Sequence, residues 1–243
     1  MTKIAVISDI HSNLHALDAV LTRIEERGCE KTYCLGDVVG YGARPNECIE
    51  RLCDHNIISL QGNHDAVVSG LSSGVEFNEY AFTAAMQNRD NLTPASRDFL
   101  LHMAETIRVD DHTLMVHGSP AGRDHYLFGK DLIAHMSHLV SQQDETRLCF
   151  FGHTHDPCLW NGEDLVYREA EDYTLDPEIC MMVNPGSVGQ PRDGDNRAAF
   201  VFWNKDLQTL RFERVSYDVE AACQDIIAAG LPSFLGLRLR DGV

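Results

Sequence analysis

Short apolar runs alternate with helical patterns through the first quarter of the chain. The runs at residues 4–7, 32–35 and 57–60 have the length and composition of buried strands. Between the first two, apolar residues recur at helical spacing, and this predicted helix ends at Gly28. Pro45 opens a second helix before the third strand. This β-α-β-α-β pattern predicts a parallel sheet whose site lies at the carboxyl ends of its strands.

The second half of the chain is richer in strands. We predict a hairpin from residues 106–109 and 113–116, and buried strands at 148–151 and 181–183. Further hairpins are predicted around Asn161-Gly162 and around Asn204-Lys205-Asp206. Helices are predicted at 130–140 and near Val219 to Ile227, and a short tail follows. The pattern therefore favours an α/β protein in which two packed mixed sheets are flanked by helices.

A change in pattern separates the two halves. From about residue 66 to residue 112 we predict a helical insertion near the site, within a single domain that covers residues 1–243. Thr93 and Pro94 have the residue types of an N-cap and a first helical position. The aromatic residues of this segment are candidates for stacking on a base, although their spacing is also typical of a core: Phe77, Tyr80 and Phe82.

Polar residues follow the predicted strands where each strand ends. They fall in five groups: Asp9 with His11, Asp37, Asn63 with His64, His117, and His153 with His155. Carboxylates, imidazoles and amide oxygens are ligands for Mn, Fe, Zn, Co or Ni, whereas a Mg site is poorer in histidine. This set is too large for one catalytic ion that keeps an open position. Two ions that share a bridging carboxylate account for it, with Mn or Fe favoured.

Each group taken alone has an ordinary structural explanation. Asp9 can cap the helix that begins near Leu14, and Asp37 can lie in a simple turn. Two histidines on one face of a strand can be hydrogen-bonded without a metal. The combination is informative, because all five groups come at strand ends and their chemistry is complementary.

Charge narrows the possible partners. The chain has 20 Lys+Arg against 37 Asp+Glu, which gives a formal net charge of −17. Nucleic acid is an improbable partner for such a chain, since it requires clustered cations. A small phosphorylated or nucleotide substrate stays compatible with this charge if metal ions reverse the local field. The sequence does not indicate an oligomeric state.

The cysteine spacing and the lack of a long apolar stretch favour a reduced intracellular protein. The eight cysteines include no pair spaced as in a CxxC motif, and several lie in apolar runs. No stretch approaches the roughly 18 apolar residues of a membrane span. The first residues lead directly into a strand-like run, so we expect no cleaved leader and a cytoplasmic location.

The five groups belong to longer motifs that resemble the calcineurin-like metallophosphoesterases, in particular the small bacterial and archaeal phosphodiesterase branch. The motifs are Asp9-Ile10-His11, Gly36-Asp37-Val38-Val39-Gly40, Gly62-Asn63-His64-Asp65, His117-Gly118 and Gly152-His153-Thr154-His155. Asn184-Pro185-Gly186-Ser187 adds to the similarity. The resemblance covers about residues 1–203 and implies a four-layer αββα sandwich.

The resemblance also implies a role for each motif residue. One metal ion would be held by Asp9, His11 and His155, and the other by Asn63, His117 and His153. Asp37 would bridge the two ions. His64 would face the substrate and protonate the leaving oxygen or stabilise charge in the transition state. Asp65 would either orient the His64 imidazole or cap the helix from Ala66, and the sequence leaves both open.

The predicted function is that of a dinuclear metal-dependent phosphoesterase. Its substrate would be a small phosphodiester, a phosphomonoester or a nucleotide phosphoanhydride, attacked in line by a hydroxide that bridges the metals. Asn13, Tyr41 and Arg192 are the candidate substrate contacts, and Arg192 suits a phosphate best. The alternatives are a non-catalytic scaffold of the same fold and a serine/threonine protein phosphatase. Scaffold members of the family typically lack the catalytic histidine, which is present here as His64.

Overall fold

The computed structural model describes residues 2–143 and 145–243. The strands of the described chain are Lys3–Ile7 (β1), Lys31–Cys34 (β2), Ile58–Ser59 (β3), Thr106–Asp110 (β4), Thr113–Val116 (β5), Leu148–Phe150 (β6), Cys158–Trp160 (β7), Leu165–Val166 (β8), Asp172–Thr174 (β9), Met181–Asn184 (β10), Ala198–Asn204 (β11) and Thr209–Val215 (β12). The α-helices are Leu14–Arg27 (α1), Pro45–Asp54 (α2), Asn63–Ser69 (α3), Glu79–Asn91 (α4), Pro94–Leu101 (α5), Lys130–Gln143 (α6), Val219–Ala228 (α7) and Ser233–Leu237 (α8). A 3-10 helix follows at Arg238–Arg240.

The strands form two mixed sheets, as the sequence pattern predicted. Sheet 1 has the order β3-β2-β1-β11-β12-β9, and sheet 2 has the order β4-β5-β6-β10-β7-β8. Strands β1, β2 and β3 run parallel in sheet 1, and β5, β6 and β10 run parallel in sheet 2. The other pairings in both sheets are antiparallel. Each sheet therefore has three parallel strands whose carboxyl ends point the same way.

Side chains alternate between the two faces of each strand, and this alternation explains how the sheets and helices pack in layers. In β1, Ile4 and Val6 pack into the core between the sheets, whereas Ala5 and Ile7 pack against the helices outside sheet 1. In β10, Met181 and Val183 face the same inter-sheet core, and Met182 faces the cluster that contains α6. The protein is thus a helix–sheet–sheet–helix sandwich, which confirms the predicted fold class.

The helix ends follow the predicted chemistry. Gly28 closes α1 in the left-handed conformation, with φ of 64°, and Pro45 is the first residue of α2. The Thr93 side chain caps α5 by accepting a hydrogen bond from the Ser96 backbone N–H. These turns and caps are local, so the sequence alone was sufficient to locate them.

Three helices, α3 to α5, occupy the segment after β3, and the chain then enters sheet 2 as β4, the first strand of the predicted hairpin. One region differs from the sequence prediction. The residues after α7, which were predicted as a short tail, contain further helices. They form α8 and the 3-10 helix, whose Leu235 and Leu239 pack in one cluster with Tyr41. Helices of five and three residues are too short to produce a periodic signal.

Within the described ranges, no helix combines the length and the apolar character needed to cross a membrane. All eight cysteines are free thiols, and five of them are buried.

Burial between the sheets predicts a large effect of truncation in that core. Phe212 in β12 is 1% exposed, whereas Leu207, in the turn before that strand, is 55% exposed. Phe212→Ala should lower the free energy of unfolding by about 3–5 kcal/mol, because it removes apolar contacts and leaves a cavity. Urea unfolding followed by circular dichroism measures the change. Leu207→Ala is the control and should stay within about 0.5 kcal/mol. Equal effects of the two substitutions would contradict this assignment of the core.

Candidate metal centre

The parallel strands of both sheets bring the predicted site residues into one buried crevice. Asp9 and His11 follow β1, Asp37 follows β2, and Asn63 follows β3. From sheet 2, His117 follows β5, and His153 and His155 follow β6. All seven side chains are at most 7% exposed. The structure therefore brings together all seven residues that the sequence analysis selected as metal ligands.

One group of these residues places two lone pairs against each other. The Nε2 atoms of His11 and His155 lie 3.1 Å apart, and Asp9 Oδ1 is 3.2 Å from His155 Nε2. The Nδ1 atoms of the same histidines face the carbonyl oxygens of Val39 and Gln190. Since a carbonyl only accepts, each Nδ1 carries the ring hydrogen of a neutral imidazole. Both Nε2 atoms are then acceptors, and only a proton or a metal ion can hold them together.

The second group repeats this arrangement. His117 Nδ1 faces the Leu35 carbonyl at 2.8 Å, so its Nε2 is an acceptor in the neutral ring. That Nε2 lies 3.1 Å from Asn63 Oδ1, another acceptor, and 3.2 Å from His153 Nδ1. The other ring nitrogen of His153, Nε2, is buried without a hydrogen-bond partner. A cation among Asn63, His117 and His153 would relieve the facing acceptors.

Asp37 lies between the two groups. Its Oδ2 atom is 3.7 Å from His11 Nε2 and 3.4 Å from His117 Nε2. Its Oδ1 atom accepts a hydrogen bond from the His64 backbone N–H at 2.8 Å, which fixes the carboxylate. One oxygen is therefore held in place while the other faces both groups, as a bridging ligand requires.

The donor set and its unsatisfied atoms fit transition-metal ions. Three clusters bring ligand atoms within 4.8 Å of one another: Asp9 with His11 and His155, Asp37 with His117 and His153, and His11 with Asp37 and His64. Asp9 Oδ1 is buried without a hydrogen-bond partner. Imidazole, carboxylate and amide oxygen suit ions of intermediate hardness. The third cluster makes His64 an alternative ligand on distance alone.

The electrostatics of the crevice also favour a cation. Burial alone would lower the pKa of His117, but the carboxylates of Asp37 and Asp9 raise it to about 9. Burial, together with the charge of His117, lowers the pKa of His153 to about 3. Although burial opposes ionisation of Asp9 and Asp37, the neighbouring histidines hold the pKa of both carboxyls below its usual value. The two carboxylates therefore favour a positive charge at His117 Nε2, carried either by a proton or by a metal ion in its place, and the remaining negative charge attracts metal.

The backbone is strained at these ligands. Five of them have left-handed φ values: Asp9 (54°), His11 (49°), Asp37 (53°), His153 (68°) and His155 (61°). Each non-glycine residue in this region costs roughly 1–2 kcal/mol relative to ordinary backbone. Such strain concentrates at functional sites, and here it accompanies the sharp turns that aim the side chains into the crevice.

Glycines allow the loops to approach one another. A Cβ atom on Gly62 would lie 2.0 Å from Asp37 Oδ1, and one on Gly40 would lie 2.3 Å from His64 Nδ1. Both contacts are impossible for a larger residue without movement of the site. The glycines of the Gly-Asp-x-x-Gly and Gly-Asn-His-Asp motifs are thus explained by close packing around Asp37 and His64.

His64 is buried beside the crevice and does not contact Asp65. Its ring packs between Tyr41 and Phe77, with centroid distances of 4.5 and 4.3 Å. Its Nδ1 is buried without a hydrogen-bond partner, and burial lowers its pKa to about 4. Asp65 instead accepts hydrogen bonds from the backbone N–H groups of Gly62 and Val39. Of the two interpretations that the sequence left open for Asp65, these contacts favour the cap.

The three candidate substrate contacts, Asn13, Tyr41 and Arg192, have different surroundings in the structure. The Asn13 side chain accepts from Ala16 N–H as the N-cap of α1 and donates to the Gly189 carbonyl, so its visible contacts are structural. Tyr41 is buried, with its ring 4.7 Å from that of His11. The Arg192 guanidinium lies over Tyr41 at 5.8 Å, and its Nε is buried without a hydrogen-bond partner. Arg192 is therefore better placed than Asn13 to bind an anion.

The sequence analysis missed one residue that holds the site together. Asn88 in α4 is 2% exposed; it accepts hydrogen bonds from Ser12 Oγ and Gly40 N–H and donates to the Gly42 carbonyl. It fixes the loops after β1 and β2 to the helical segment. Its spacing from the buried Ala81, seven residues earlier, places it on the buried face of α4 and was a detectable signal.

Comparisons with known proteins place the chain in one family. Residues 2–206 match the sequence profile of the calcineurin-like phosphoesterase superfamily domain. A Methanocaldococcus jannaschii protein, named only as uncharacterised, is 41% identical over 244 residues, which span 97% of this chain and 96% of that protein. The phosphodiesterase YfcE of Escherichia coli K12 is 24% identical over 220 residues, which span 86% of this chain and 91% of that enzyme.

Solved structures extend the similarity to three dimensions. The crystal structure of a metallophosphoesterase from Sphaerobacter thermophilus is 34% identical to this chain in sequence. The superposition has a TM-score of 0.87 and covers 100% of this chain and 99% of that one. The similarity therefore extends beyond residue 206 to the helices after β12.

The contacts of Asp65 lead to a test of its role. Asp65→Ala should lower the free energy of unfolding of the metal-free protein by about 2–4 kcal/mol, because two buried N–H groups would each lose an acceptor at roughly 1–3 kcal/mol. Denaturant unfolding measures this change. Asp124→Ala, at an exposed position, is the control and should have an effect within about 0.5 kcal/mol. An Asp65→Ala protein as stable as the control would exclude the capping role.

Proposed function

The chain belongs to the calcineurin-like phosphoesterase superfamily, and from this we propose that it is a metal-dependent hydrolase of small phosphate esters, with phosphodiesters as the leading class. The observation that carries the proposal is the pair of buried contacts, His11 to His155 and Asn63 to His117, in which a proton or a metal ion must lie between the facing acceptor atoms. The similarity to a phosphodiesterase supports the choice of diester. Phosphomonoesters and nucleotide phosphoanhydrides are the other candidates.

We assign two ions to the site, one to each group of residues. Asp9, His11 and His155 would hold the first ion, Asn63, His117 and His153 the second, and Asp37 would bridge them. Manganese or iron fits this nitrogen- and oxygen-rich set. When bound, the pair would supply a nucleophilic water at neutral pH and neutralise the phosphoryl oxygens. The carbonyls of Val39, Leu35 and Gln190 keep three of the imidazoles in the correct tautomer and orientation.

His64 is the proposed general acid. Its backbone N–H is held by Asp37, and its ring is confined between Tyr41 and Phe77, so the imidazole is fixed beside the bridging carboxylate. From this position its ring can deliver a proton to the departing ester oxygen. Burial lowers the pKa of this imidazole, and the negative charge of a bound phosphate would raise it, so substrate binding favours the protonated form.

Arg192 is the proposed anchor for the phosphate. The Nη2 atom of its guanidinium donates to Gln190 Oε1, and its Nε is buried without a hydrogen-bond partner. A guanidinium N–H without a partner binds phosphate oxygens well. This local positive charge, added to that of the metals, lets a protein of net charge −17 accept an anionic substrate, because surface charges are screened over about 8 Å in physiological salt.

The rival functions make different demands on the site. A non-catalytic scaffold needs neither a catalytic histidine nor strained backbone at metal ligands. This chain has both, His64 and five ligands with left-handed φ values. A protein phosphatase needs an extended groove for a peptide, and the sequence contains no long peptide-binding extension. Turnover of bis(p-nitrophenyl) phosphate by the metal-loaded protein separates the enzyme from the scaffold.

Metal content tests the shared role of Asp37. Protein purified without chelator should carry up to two transition-metal ions per chain. Asp37→Asn should weaken both sites by more than the roughly 10- to 100-fold typical of losing a residue that only orients a ligand. Elemental analysis after dialysis against a graded chelator measures this loss, and Asp124→Asn is the surface control. One tightly held ion, unaffected by Asp37→Asn, would contradict the dinuclear assignment.

The role of His64 predicts a loss of rate without a loss of metal. His64→Ala should keep the wild-type metal content and lower kcat by roughly 10²- to 10⁴-fold, the usual contribution of a general acid. The loss should shrink for esters with good leaving groups, which depart without protonation. Parallel kinetics on p-nitrophenyl and alkyl esters, with elemental analysis of each sample, measure both effects.

The same experiment distinguishes His64 as an acid from His64 as a ligand. His135→Ala, at an exposed position of α6, is the matched control and should change neither quantity. If His64→Ala loses a metal ion, the cluster of His11, Asp37 and His64 is the true ligand set and the general acid lies elsewhere.

A further inference from the structure

The loop after His117 is a rigid support for two aromatic side chains. Ser119 and Gly122 exchange backbone hydrogen bonds, and the Ser119 hydroxyl bonds to His125 Nδ1. Arg123 donates to Gln61 Oε1 at 2.6 Å, which ties the loop to the residue before Gly62. The loop is therefore fixed at both the sheet 2 side and the sheet 1 side of the crevice.

Two aromatic side chains of this loop point toward solvent, on either side of a buried leucine. Leu127 is 2% exposed and packs in the cluster under α6, whereas its neighbours Tyr126 and Phe128 are 43% and 57% exposed. In an extended segment, residues on either side of a buried side chain point to the opposite face. The two rings are parallel within 6°, and their centroids are 5.4 Å apart. They form an offset stack of a kind that is stable between aromatic rings.

This stack begins at the metal centre. The Tyr126 ring lies on the His153 ring with a centroid distance of 3.7 Å and an interplanar angle of 28°. His153, Tyr126 and Phe128 thus form a continuous row of rings from the buried crevice to the surface. The guanidinium of Arg192 interacts with the Tyr126 side chain, so Arg192 lies near the start of the row.

We propose that Phe128, with Tyr126 stacked behind it, is a platform for a planar aromatic group, of the size of a nucleobase, carried by the phosphate ester that the metal centre binds. This inference rests on the proposed function, because the phosphate must lie at the metals and Arg192 for its substituent to reach the platform. His153 and Phe128 cover the two faces of Tyr126, so a ligand ring would lie on the outer face of Phe128, where it gains contact with exposed aromatic surface. The substrate class is thereby narrowed to esters of nucleosides or of similar aromatic alcohols.

Other aromatic residues near the crevice are less available. Phe77, a sequence candidate for base stacking, already packs against His64. Tyr80, the second candidate, is 47% exposed but packs against Phe234 at 5.2 Å, and Arg238 faces the Phe234 ring at 5.5 Å. Tyr80 is therefore a matched control, an exposed tyrosine in an aromatic pair on a different element.

The test compares two ligands that differ only in the base. Isothermal titration calorimetry on the metal-loaded protein gives the Kd of adenosine 5′-monophosphate and of ribose 5-phosphate, and phosphate release in the same samples corrects for turnover. Wild-type protein should bind the nucleotide roughly 5- to 100-fold more tightly, the usual contribution of base stacking. Phe128→Leu should bring the ratio of the two Kd values close to one, because it removes the ring with the open face. Tyr126→Leu should lower the ratio in part, because it removes the support behind Phe128, and Tyr126→Phe should preserve it.

Because the ratio is measured within each variant, a change in metal affinity caused by the contact with His153 affects both ligands equally. Tyr80→Leu should keep the wild-type ratio. A wild-type ratio close to one, a ratio unchanged in Phe128→Leu, or a ratio lost in Tyr80→Leu would each overturn the platform. If bis(p-nitrophenyl) phosphate is hydrolysed while the ratio is one, only the platform fails. If neither ligand binds and no ester is hydrolysed, the proposed function fails with it.

Discussion

The structure depends on a buried crevice in which hydrogen-bond acceptors face one another. His11 and His155 approach at 3.1 Å through nitrogens that cannot both donate, because their other nitrogens are committed to backbone carbonyls. Asn63 and a neutral His117 repeat the conflict at the same distance, and only a proton or a metal ion at His117 Nε2 removes it. Burying unpaired polar atoms costs roughly 1–3 kcal/mol each in folded proteins. A fold that imposes this cost twice, on either side of one carboxylate, is organised to bind cations.

The rest of the molecule makes this convergence possible. Two sheets each contribute three parallel strands, so six loops meet at one edge of the sandwich. Left-handed backbone at Asp9, Asp37 and His153 turns the chain sharply after each strand, and Gly62 leaves room for the Asp37 carboxylate. Asn88, from the helical segment, fixes two of these loops by side-chain hydrogen bonds. The strained backbone and the close packing destabilise the folded state. The large hydrophobic core between the sheets, which contains none of the ligands, offsets this cost.

Much of this arrangement could be predicted from the sequence because its signals are local. Apolar runs, helical spacing and the residue types at caps located β1, α1, α2 and α5, and polar residues at strand ends selected the seven side chains that meet in the crevice. Contacts that depend on the assembled fold were out of reach. The sequence could not decide that Asp65 binds two backbone N–H groups, or that Phe77 packs on His64 while Tyr126 packs on His153. The short helices after α7 were missed because they lack a full hydrophobic period.

The most direct test of the account is the position of the metal ions. Crystals of the protein loaded with manganese, measured by anomalous diffraction at the manganese edge, should show two peaks per chain. One peak should lie among Asp9, His11 and His155 and the other among Asn63, His117 and His153, separated by about 3.5–4 Å with Asp37 between them. A single peak, or peaks coordinated by His64 in place of one of these groups, would contradict the central claim that two ions share Asp37 at the meeting point of the two sheets.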